Sequence, residues 1–443
     1  MWITINRESE LTLERQIYLQ IRKMILDGVL HSGDKLPSTR RLSSELSISR
    51  NTVIDAYSQL LAEGYLETYK GSGTVVAEGL HALNTVPGIQ QISKENNDNM
   101  FSSKDIIDFR TGMPALDFFP YRQWGKLYRE ICDTVPITSF GYCDTSGVWE
   151  LREAISQYLY RTRGLTCNPS QIMITSGSTQ GLSLLSHVLK SKEKTVLVED
   201  PTHAGLRKVI KLTGCSVKGV PVDYDGLCTE LLKGNQNVSF IYTTPSHQYP
   251  MGSVLPVKRR LELVQYARQN ECYIVEDDYD SEFRYEGQPV SSLFELDPQH
   301  VVYLGSFSKV LAPALRLGFM ILPKELLYPC KKLKKYADVH TDALSQYTLA
   351  AFIRNGSFEK HIWKMKKLYC KRRNVLLHEL SCHFPNQFHI LGHATGLHLV
   401  VQFPNKVITE DTEHLLLEKG VRIYRPASYY LKKNVEHDHE INQ

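Results

Sequence analysis

The 443-residue chain has no C-x-x-C pair, no uncharged apolar run long enough to span a bilayer and no large excess of either charge. Each absence excludes a class. Nine cysteines, at 132, 143, 167, 215, 228, 272, 330, 370 and 382, form an odd and scattered set. That pattern argues against a disulfide framework and against a zinc site, and it fits reduced thiols. The N-terminus has no apolar signal core, so a cytoplasmic protein with no membrane partner is expected. A net charge of +4 is too small for this length to mark a nucleic-acid binder by composition, so any basic face must be local. Apolar content of 42% with 23% charged residues is that of a folded chain rather than a disordered one. The length implies two or three domains.

In the first segment, Leu13, Ile17, Ile21 and Ile25 recur at helical spacing and Gly28 ends the pattern. Ser38 is placed to cap a short helix running to Leu46, and Ser49 to cap a third helix reaching about Glu63. Val53, Tyr57, Leu60 and Leu61 give that third helix an inner face. Two strand-like stretches, 65–69 and 74–77, then bracket Lys70-Gly71-Ser72-Gly73 as a hairpin, or wing. The spacing therefore predicts a winged helix-turn-helix over residues 11–78.

The start of the third helix carries groups that read DNA. Ser49, Arg50, Asn51 and Thr52 occupy its first turn, where side chains and N–H groups face phosphates and base edges. Arginine pairs bidentately with guanine and asparagine with adenine, while Ser38, Thr39, Arg40 and the wing residues 70–73 approach the backbone. Against this, residues 1–76 hold nine basic and nine acidic residues, as a purely structural helical domain with solvated charges would. Placement favours DNA, because Arg40, Arg41, Arg50 and Lys70 gather on the helices and wing. The polar stretch 79–105, with no sustained periodicity, reads as a flexible linker.

From 106 to 443, short β-branched runs alternate with amphipathic stretches. Strands are expected at 172–175, 195–198, 240–243, 273–275 and 301–304, with helices at 182–189, 259–268 and 346–354. Such alternation argues for an α/β domain with a mostly parallel sheet, whose ligands bind at the carboxyl ends of the strands. Gly177, Ser178 and Thr179 follow the first run and can present N–H groups and hydroxyls to a phosphate. Asp277 and Tyr279 follow the fourth. Ser306, Ser308 and Lys309 follow the fifth on what reads as a tight turn, and Arg316 precedes another apolar run. A lone lysine on a loop is usually a surface cation, and carboxylates at a strand end are usually solvated or capping. Together these residues match what pyridoxal phosphate requires: a lysine for a Schiff base, an acid for the pyridine nitrogen, a donor for the ring oxygen and an anion site.

The head, L-P-S-T-R-R-L-S-S-E-L-S-I-S-R-N-T-V from Leu36, resembles the winged helix-turn-helix of the GntR family of bacterial repressors. The body resembles fold-type I aminotransferases through D-F-R-T-G-M-P at Asp108, E-D-P-T-H-A-G-L-R at Glu199, T-T-P-S-H-Q-Y-P-M-G at Thr243, E-D-D-Y-D-S-E-F at Glu276 and S-F-S-K-V-L-A-P-A-L-R at Ser306. The combination resembles the MocR/GabR family of regulators. That resemblance implies Lys309 as the Schiff-base lysine, Asp277 on the pyridine nitrogen, Tyr279 near the ring oxygen and His203 stacked on the ring. It implies Gly177, Ser178, Thr179, Ser306, Ser308 and Arg316 around the phosphate, and Tyr142 reaching in from the second subunit of a homodimer. Three positions depart from the pattern: Ile54 where some members carry a DNA-facing arginine, Tyr249 where aminotransferases carry asparagine, and Gly205 where a GABA-sensing member carries arginine. The C-terminal strand with the carboxylate-gripping arginine is also not found in the sequence, and Arg422 and Arg425 fall too early to replace it.

The reading that follows is a regulator that binds operator DNA through its head and senses an amine or amino acid through pyridoxal phosphate on Lys309. An active aminotransferase with a DNA-binding head, and a DNA-binding protein with an inert dimerisation body, are the alternatives.

Overall fold

A computed structural model of the chain describes residues 3–69, 73–79, 106–288, 290–404 and 406–431. Lys70, Gly71 and Ser72 of the wing, the linker from 80 to 105 and the tail from 432 lie outside the described residues. The chain divides into two compact units, Met1–Ser103 and Lys104–Gln443.

The first unit holds three helices, α1 (Leu13–Leu26), α2 (Thr39–Glu45) and α3 (Arg50–Ala62), and the antiparallel pair β1 (Leu66–Tyr69) and β2 (Gly73–Val76). The caps are local. Ser38 accepts from the Arg41 N–H, and Ser49 from the Asn51 N–H, each at 3.3 Å. Both satisfy a donor that the first helical turn leaves without a backbone partner. Ile17, Ile21, Leu42, Val53, Tyr57 and Leu60 bury a single core with Leu66 and Val76, which sit opposite each other in the hairpin.

In chain order the second unit contains β3 (Ile107–Asp108), α4 (Tyr121–Thr134), α5 (Trp149–Arg163), β4 (Ile172–Thr175), α6 (Ser178–Val188), β5 (Thr195–Asp200) and α7 (Ala204–Leu212). It continues through β6 (Ser216–Asp223), β7 (Gly226–Leu227), β8 (Val238–Thr243), α8 (Val257–Gln269), β9 (Tyr273–Asp278), α9 (Leu293–Leu296), β10 (Val301–Ser306) and β11 (Gly318–Ile321). The C-terminal part adds α10 (Lys324–Ala337), α11 (Ala343–Arg354), α12 (Ser357–His383), β12 (His389–Leu391), β13 (Val400–Gln402), α13 (Glu410–Glu418) and β14 (Val421–Arg422). The main sheet runs β4-β11-β10-β9-β8-β5-β6-β7, parallel except for β11 and the edge strand β7. Alternate residues feed opposite faces, as the two-residue strand period requires. Ile174, Leu197, Ile241, Ile274 and Val301 join one core, and Met173, Val198, Phe240, Val275 and Val302 the other. Both faces are covered, which is why these strands read as unbroken apolar runs. Among the described residues, no helix is long and apolar enough to cross a membrane.

Two expectations are corrected. The fourth strand does not stop at Val275 but runs to Asp278, so Glu276, Asp277 and Asp278 lie inside it. Carboxylates are depleted in strands because burial desolvates them. Here each finds a donor: Asp278 takes Arg163 and the Tyr303 hydroxyl, Glu276 takes the Phe294 N–H, and Asp277 takes the Tyr242 hydroxyl. Lys309 does not sit on a tight turn, since residues 307–317 separate β10 from β11 and include a 3-10 turn at Pro313–Leu315. Between the strand ends that carry the site, antiparallel β11 separates β4 from β10. Gly177 and Gly318 close that gap. A Cβ built on Gly318 would come within 2.8 Å of the Gly177 Cα, a distance only glycine allows.

Candidate functional site

At the carboxyl edge of the sheet the Lys309 Nζ donates to the Gly112 carbonyl at 2.6 Å. Burial pushes the Lys309 amine below its ordinary value, and the nearby carboxylates of Asp280 and Asp277 partly offset this. Asp277, 3% exposed, accepts from the Tyr242 hydroxyl at 2.7 Å through Oδ2. Its Oδ1 is buried with no hydrogen-bond partner among the described residues. Burial raises this carboxyl to about 7, against the lowering effect of the Tyr242 hydroxyl.

His203 caps α7, taking the Leu206 N–H on Nδ1 at 3.2 Å. Desolvation and the positive charge of Lys309 hold its imidazole below the usual range, which places the two groups in one field. Its ring centroid lies 5.2 Å from that of Tyr249. The Tyr249 hydroxyl meets Thr111 Oγ1 at 2.6 Å and donates to the Tyr429 hydroxyl at 3.0 Å. Tyr279 donates its hydroxyl to the His247 carbonyl at 2.9 Å. Behind it, His247 Nδ1 meets Asp280 Oδ2 at 2.9 Å, and the His247 ring packs 4.3 Å from that of His398. His398 Nε2 is itself spent on the Pro250 carbonyl at 2.9 Å.

The anion cradle is built from backbone. Gly177 caps α6 at φ 97° and no side chain caps the helix, so its first N–H groups and the neighbouring Ser178 and Thr179 hydroxyls are of the kind that can receive an anion. The Arg316 guanidinium donates to the Ser176 carbonyl and lies 3.3 Å from a Cβ built on Gly177. Arg316 itself takes the left-handed conformation at φ 49°. Ser306 Oγ accepts the Ser308 N–H at 3.2 Å, which ties the end of β10 to the lysine loop. A buried unpartnered carboxylate oxygen, an uncapped helix N-terminus beside an arginine, and a depressed lysine amine fit pyridoxal phosphate.

The structure gathers Lys309, Asp277, Tyr279 and His203 at this edge, and Gly177, Ser178 and Thr179 beside Arg316. Tyr142 is not with them. It is 88% exposed and packs edge-on to His340 at 6.1 Å. Of the candidate carboxylate arginines, Arg422 pairs with Asp108 at 3.3 Å, and Arg425 with Glu413 at 3.0 Å and Glu410 at 3.3 Å. Sequence reasoning missed Gly112, Tyr242 and Tyr429, whose partners lie 197, 35 and 180 residues away. Gly112 lay inside the quoted D-F-R-T-G-M-P stretch, which was the available signal.

In the head, Ser38, Arg40, Ser49, Arg50, Asn51 and Gly73 are exposed, while Thr39 and Thr52 are half-buried. Arg50 Nε donates to Thr39 Oγ1 at 3.4 Å, so the start of α3 is braced on α2. Arg41 instead pairs with Glu45 at 2.8 Å. Lys35 bridges to Val75 and lies 3.6 Å from a Cβ built on Gly73, a basic group beside the wing that the sequence reading did not assign. Ile54 is exposed on α3.

Residues 13–76 match the family of bacterial regulatory proteins of the gntR type, and residues 105–436 match aminotransferase class I and II. The uncharacterized HTH-type transcriptional regulator YdeL of Bacillus subtilis is 36% identical, over 96% of this chain and 91% of that protein. The probable rhizopine catabolism regulatory protein MocR of Rhizobium meliloti is 32% identical, over 96% of this chain and 88% of that protein. Among solved structures, an archaeal alanine:glyoxylate aminotransferase matches with a TM-score of 0.70 and 28% identity, covering 76% of this chain and 85% of that one.

Proposed function

Because the chain belongs to the aminotransferase class I and II family over its body and to the gntR family of bacterial regulatory proteins over its head, we propose that it is a pyridoxal-phosphate-dependent transcription regulator that senses an amine or amino acid. It acts in the cytoplasm as a homodimer. The observation that carries this reading is the pairing, in one chain, of an exposed helix start at Ser49, Arg50 and Asn51 with the Lys309 and Asp277 site.

Pyridoxal phosphate supplies a carbonyl carbon that an amine can attack, with a ring that draws off electron density. The chain's own residues prepare for it. Lys309, held below the ordinary lysine range by burial, keeps a larger neutral fraction than a surface lysine, and the Gly112 carbonyl fixes the direction of its Nζ. Asp277, oriented by Tyr242, offers its free Oδ1 to a protonated ring nitrogen. The α6 N-terminus, Ser178, Thr179, Ser306, Ser308 and Arg316 would hold the phosphate, His203 and Tyr279 would contact the ring, and Tyr142 would complete the site from the second protomer.

In the head, Arg50 and Asn51 read base edges while Ser38, Thr39, Arg40, Ser49, Thr52 and the wing, with Lys70, Gly71, Ser72 and Gly73, contact the backbone. An effector that binds one arrangement of the protein better than another shifts its operator affinity by that difference.

The test is binding to its own promoter region with and without pyridoxal phosphate and a panel of amines. Specific binding that an amine changes only in the cofactor-loaded protein is expected. Specific binding indifferent to both would leave the body as a scaffold, and sustained turnover of an amino donor with a keto acceptor would make it an enzyme.

A further inference from the structure

Behind Tyr279 lies a buried polar cluster that the cofactor reading does not use. His247 and Asp280 are each 1% exposed. His247 Nδ1 lies 2.9 Å from Asp280 Oδ2, and the same oxygen accepts the Leu397 N–H at 2.9 Å. Among the described residues, His247 is the one ion-pair partner of Asp280. The other ring nitrogen of His247, Nε2, is buried with no hydrogen-bond partner among them. An orphaned group of this kind is normally met by a water or an ion.

Either form of the imidazole leaves a defect. A protonated ring compensates Asp280 but buries an Nε2–H that has no acceptor. A neutral ring, with its proton on Nδ1 toward the carboxylate, leaves an idle Nε2 lone pair and a buried carboxylate with no cation in contact. Lys309 feels the Asp280 charge but forms no ion pair with it among the described residues. A metal ion on Nε2 removes both defects, because it takes up the lone pair and supplies the missing positive charge.

His398 offers a second lone pair. Its ring centroid lies 4.3 Å from that of His247, with the planes 34° apart. Its Nε2 meets the Pro250 carbonyl at 2.9 Å, which draws the ring proton there and leaves Nδ1 as the donor nitrogen. One ring is thus held by a carboxylate and the other by a backbone carbonyl, the outer contacts that orient metal-ligating histidines. A nitrogen from each ring and an oxygen of Asp280 lie within 4.8 Å of one another. Glycine keeps the space clear. A Cβ built on Gly252 would press to 3.3 Å from His247 Nε2, and one built on Gly396 would run into His247 Nδ1 and Asp280 Oδ2. His398 is half-buried, so the pair is reached from solvent on its side.

We propose that His247 and His398 bind one divalent late transition-metal ion of the zinc class, with Asp280 orienting His247 and water filling the remaining positions. Imidazole nitrogens suit such an ion, whereas calcium and magnesium take oxygen ligands. The scattered cysteines bear only on thiolate sites. This site instead draws on the loop after β8, the end of β9 and the segment before β13, which the fold alone brings together.

The experiment uses the full-length protein, stripped with a chelator and dialysed, and titrates it with Zn2+ against a chromophoric competitor. Wild type should take up one tight equivalent per chain. His247→Gln, His398→Gln and Asp280→Asn should each weaken that equivalent by ~10-fold or more. Zn2+ should also raise the melting temperature of wild type and leave that of the two histidine variants unmoved at the same concentration, a readout that holds even where a variant is less stable. Cys228→Ser, at the other cluster of metal-binding groups with Asp223 and Glu230, should keep the full equivalent. No tight equivalent in wild type would overturn the proposal and leave Nε2 to a water. An equivalent that survives the histidine variants, or one lost in Cys228→Ser, would overturn it by placing the ion elsewhere.

Discussion

The Nζ of Lys309 rests 2.6 Å from the carbonyl oxygen of Gly112, a residue 197 positions earlier in the chain. Gly112 adopts φ 71°, and a Cβ built on it would stand 2.9 Å from that same Nζ. The glycine thus both aims the amine and leaves it room. Gly112→Ala should crowd the lysine and strain the backbone by ~1 kcal/mol or more. Its expected effect is slower and weaker formation of the Lys309-linked absorbance band, with the thermal transition of the cofactor-free protein lowered only modestly. A variant that loads cofactor as wild type does would show that the contact is incidental.

Asp277 gives a pH signature. Burial raises its carboxyl to about 7 in the folded chain, and Glu276 and Glu282 are pushed up to about 7 for the same reason. A carboxyl with a raised folded-state value keeps its proton where the unfolded chain has lost it. The folded state then binds more protons between about pH 4 and pH 7, and stability falls as pH rises through that window. Cofactor-free protein should therefore melt at a higher temperature at pH 5 than at pH 8. Asp277→Asn removes one titrating group, so the difference between the two melting temperatures should shrink. An unchanged difference would mean that Asp277 is ionised throughout.

How far the sequence anticipated this site depended on the range of the interaction that built each part. Ser38 and Ser49 were recognisable caps because the N–H groups they accept lie two or three residues away. The β4 run was recognisable because all four of its residues are buried and the first three are apolar. The extension of β9 through three carboxylates was not, because Arg163, Tyr242, Phe294 and Tyr303, which make it tolerable, are supplied by other elements. Lys309 could be singled out by residue type, but its pairing with Gly112, 197 residues away, could not. The same holds for Tyr429, whose hydroxyl reaches Tyr249 from the far end of the chain.

Arg50 tests the DNA reading. It is exposed at the start of α3 and braced by Thr39 at 3.4 Å, so its guanidinium is presented without a carboxylate partner among the described residues. Arg50→Ala should weaken operator binding by roughly 1–3 kcal/mol, measured by fluorescence anisotropy on promoter fragments at fixed salt, and should relax base preference at one position. Because residues 1–76 carry equal numbers of acids and bases, non-specific binding should be weak and the loss visible mainly on specific fragments. Unchanged specific affinity would remove α3 as the reading element.

Gly177 separates the phosphate from the rest of the cofactor. At φ 97° it holds a backbone conformation that L side chains rarely adopt, and an added Cβ would press to 3.3 Å from the Arg316 guanidinium. Gly177→Ala should therefore cost roughly 1–3 kcal/mol of backbone strain or displace the α6 N-terminus and Arg316 from the anion they share. Pyridoxal phosphate should bind the variant at least ~10-fold more weakly by absorbance titration. Pyridoxal, which lacks the phosphate but keeps the ring and the aldehyde, should bind wild type and variant with similar affinity. That contrast discriminates between local and general damage. If both molecules lose affinity equally, the substitution has disturbed the strand end as a whole, and the anion cradle is not where the helix and Arg316 meet.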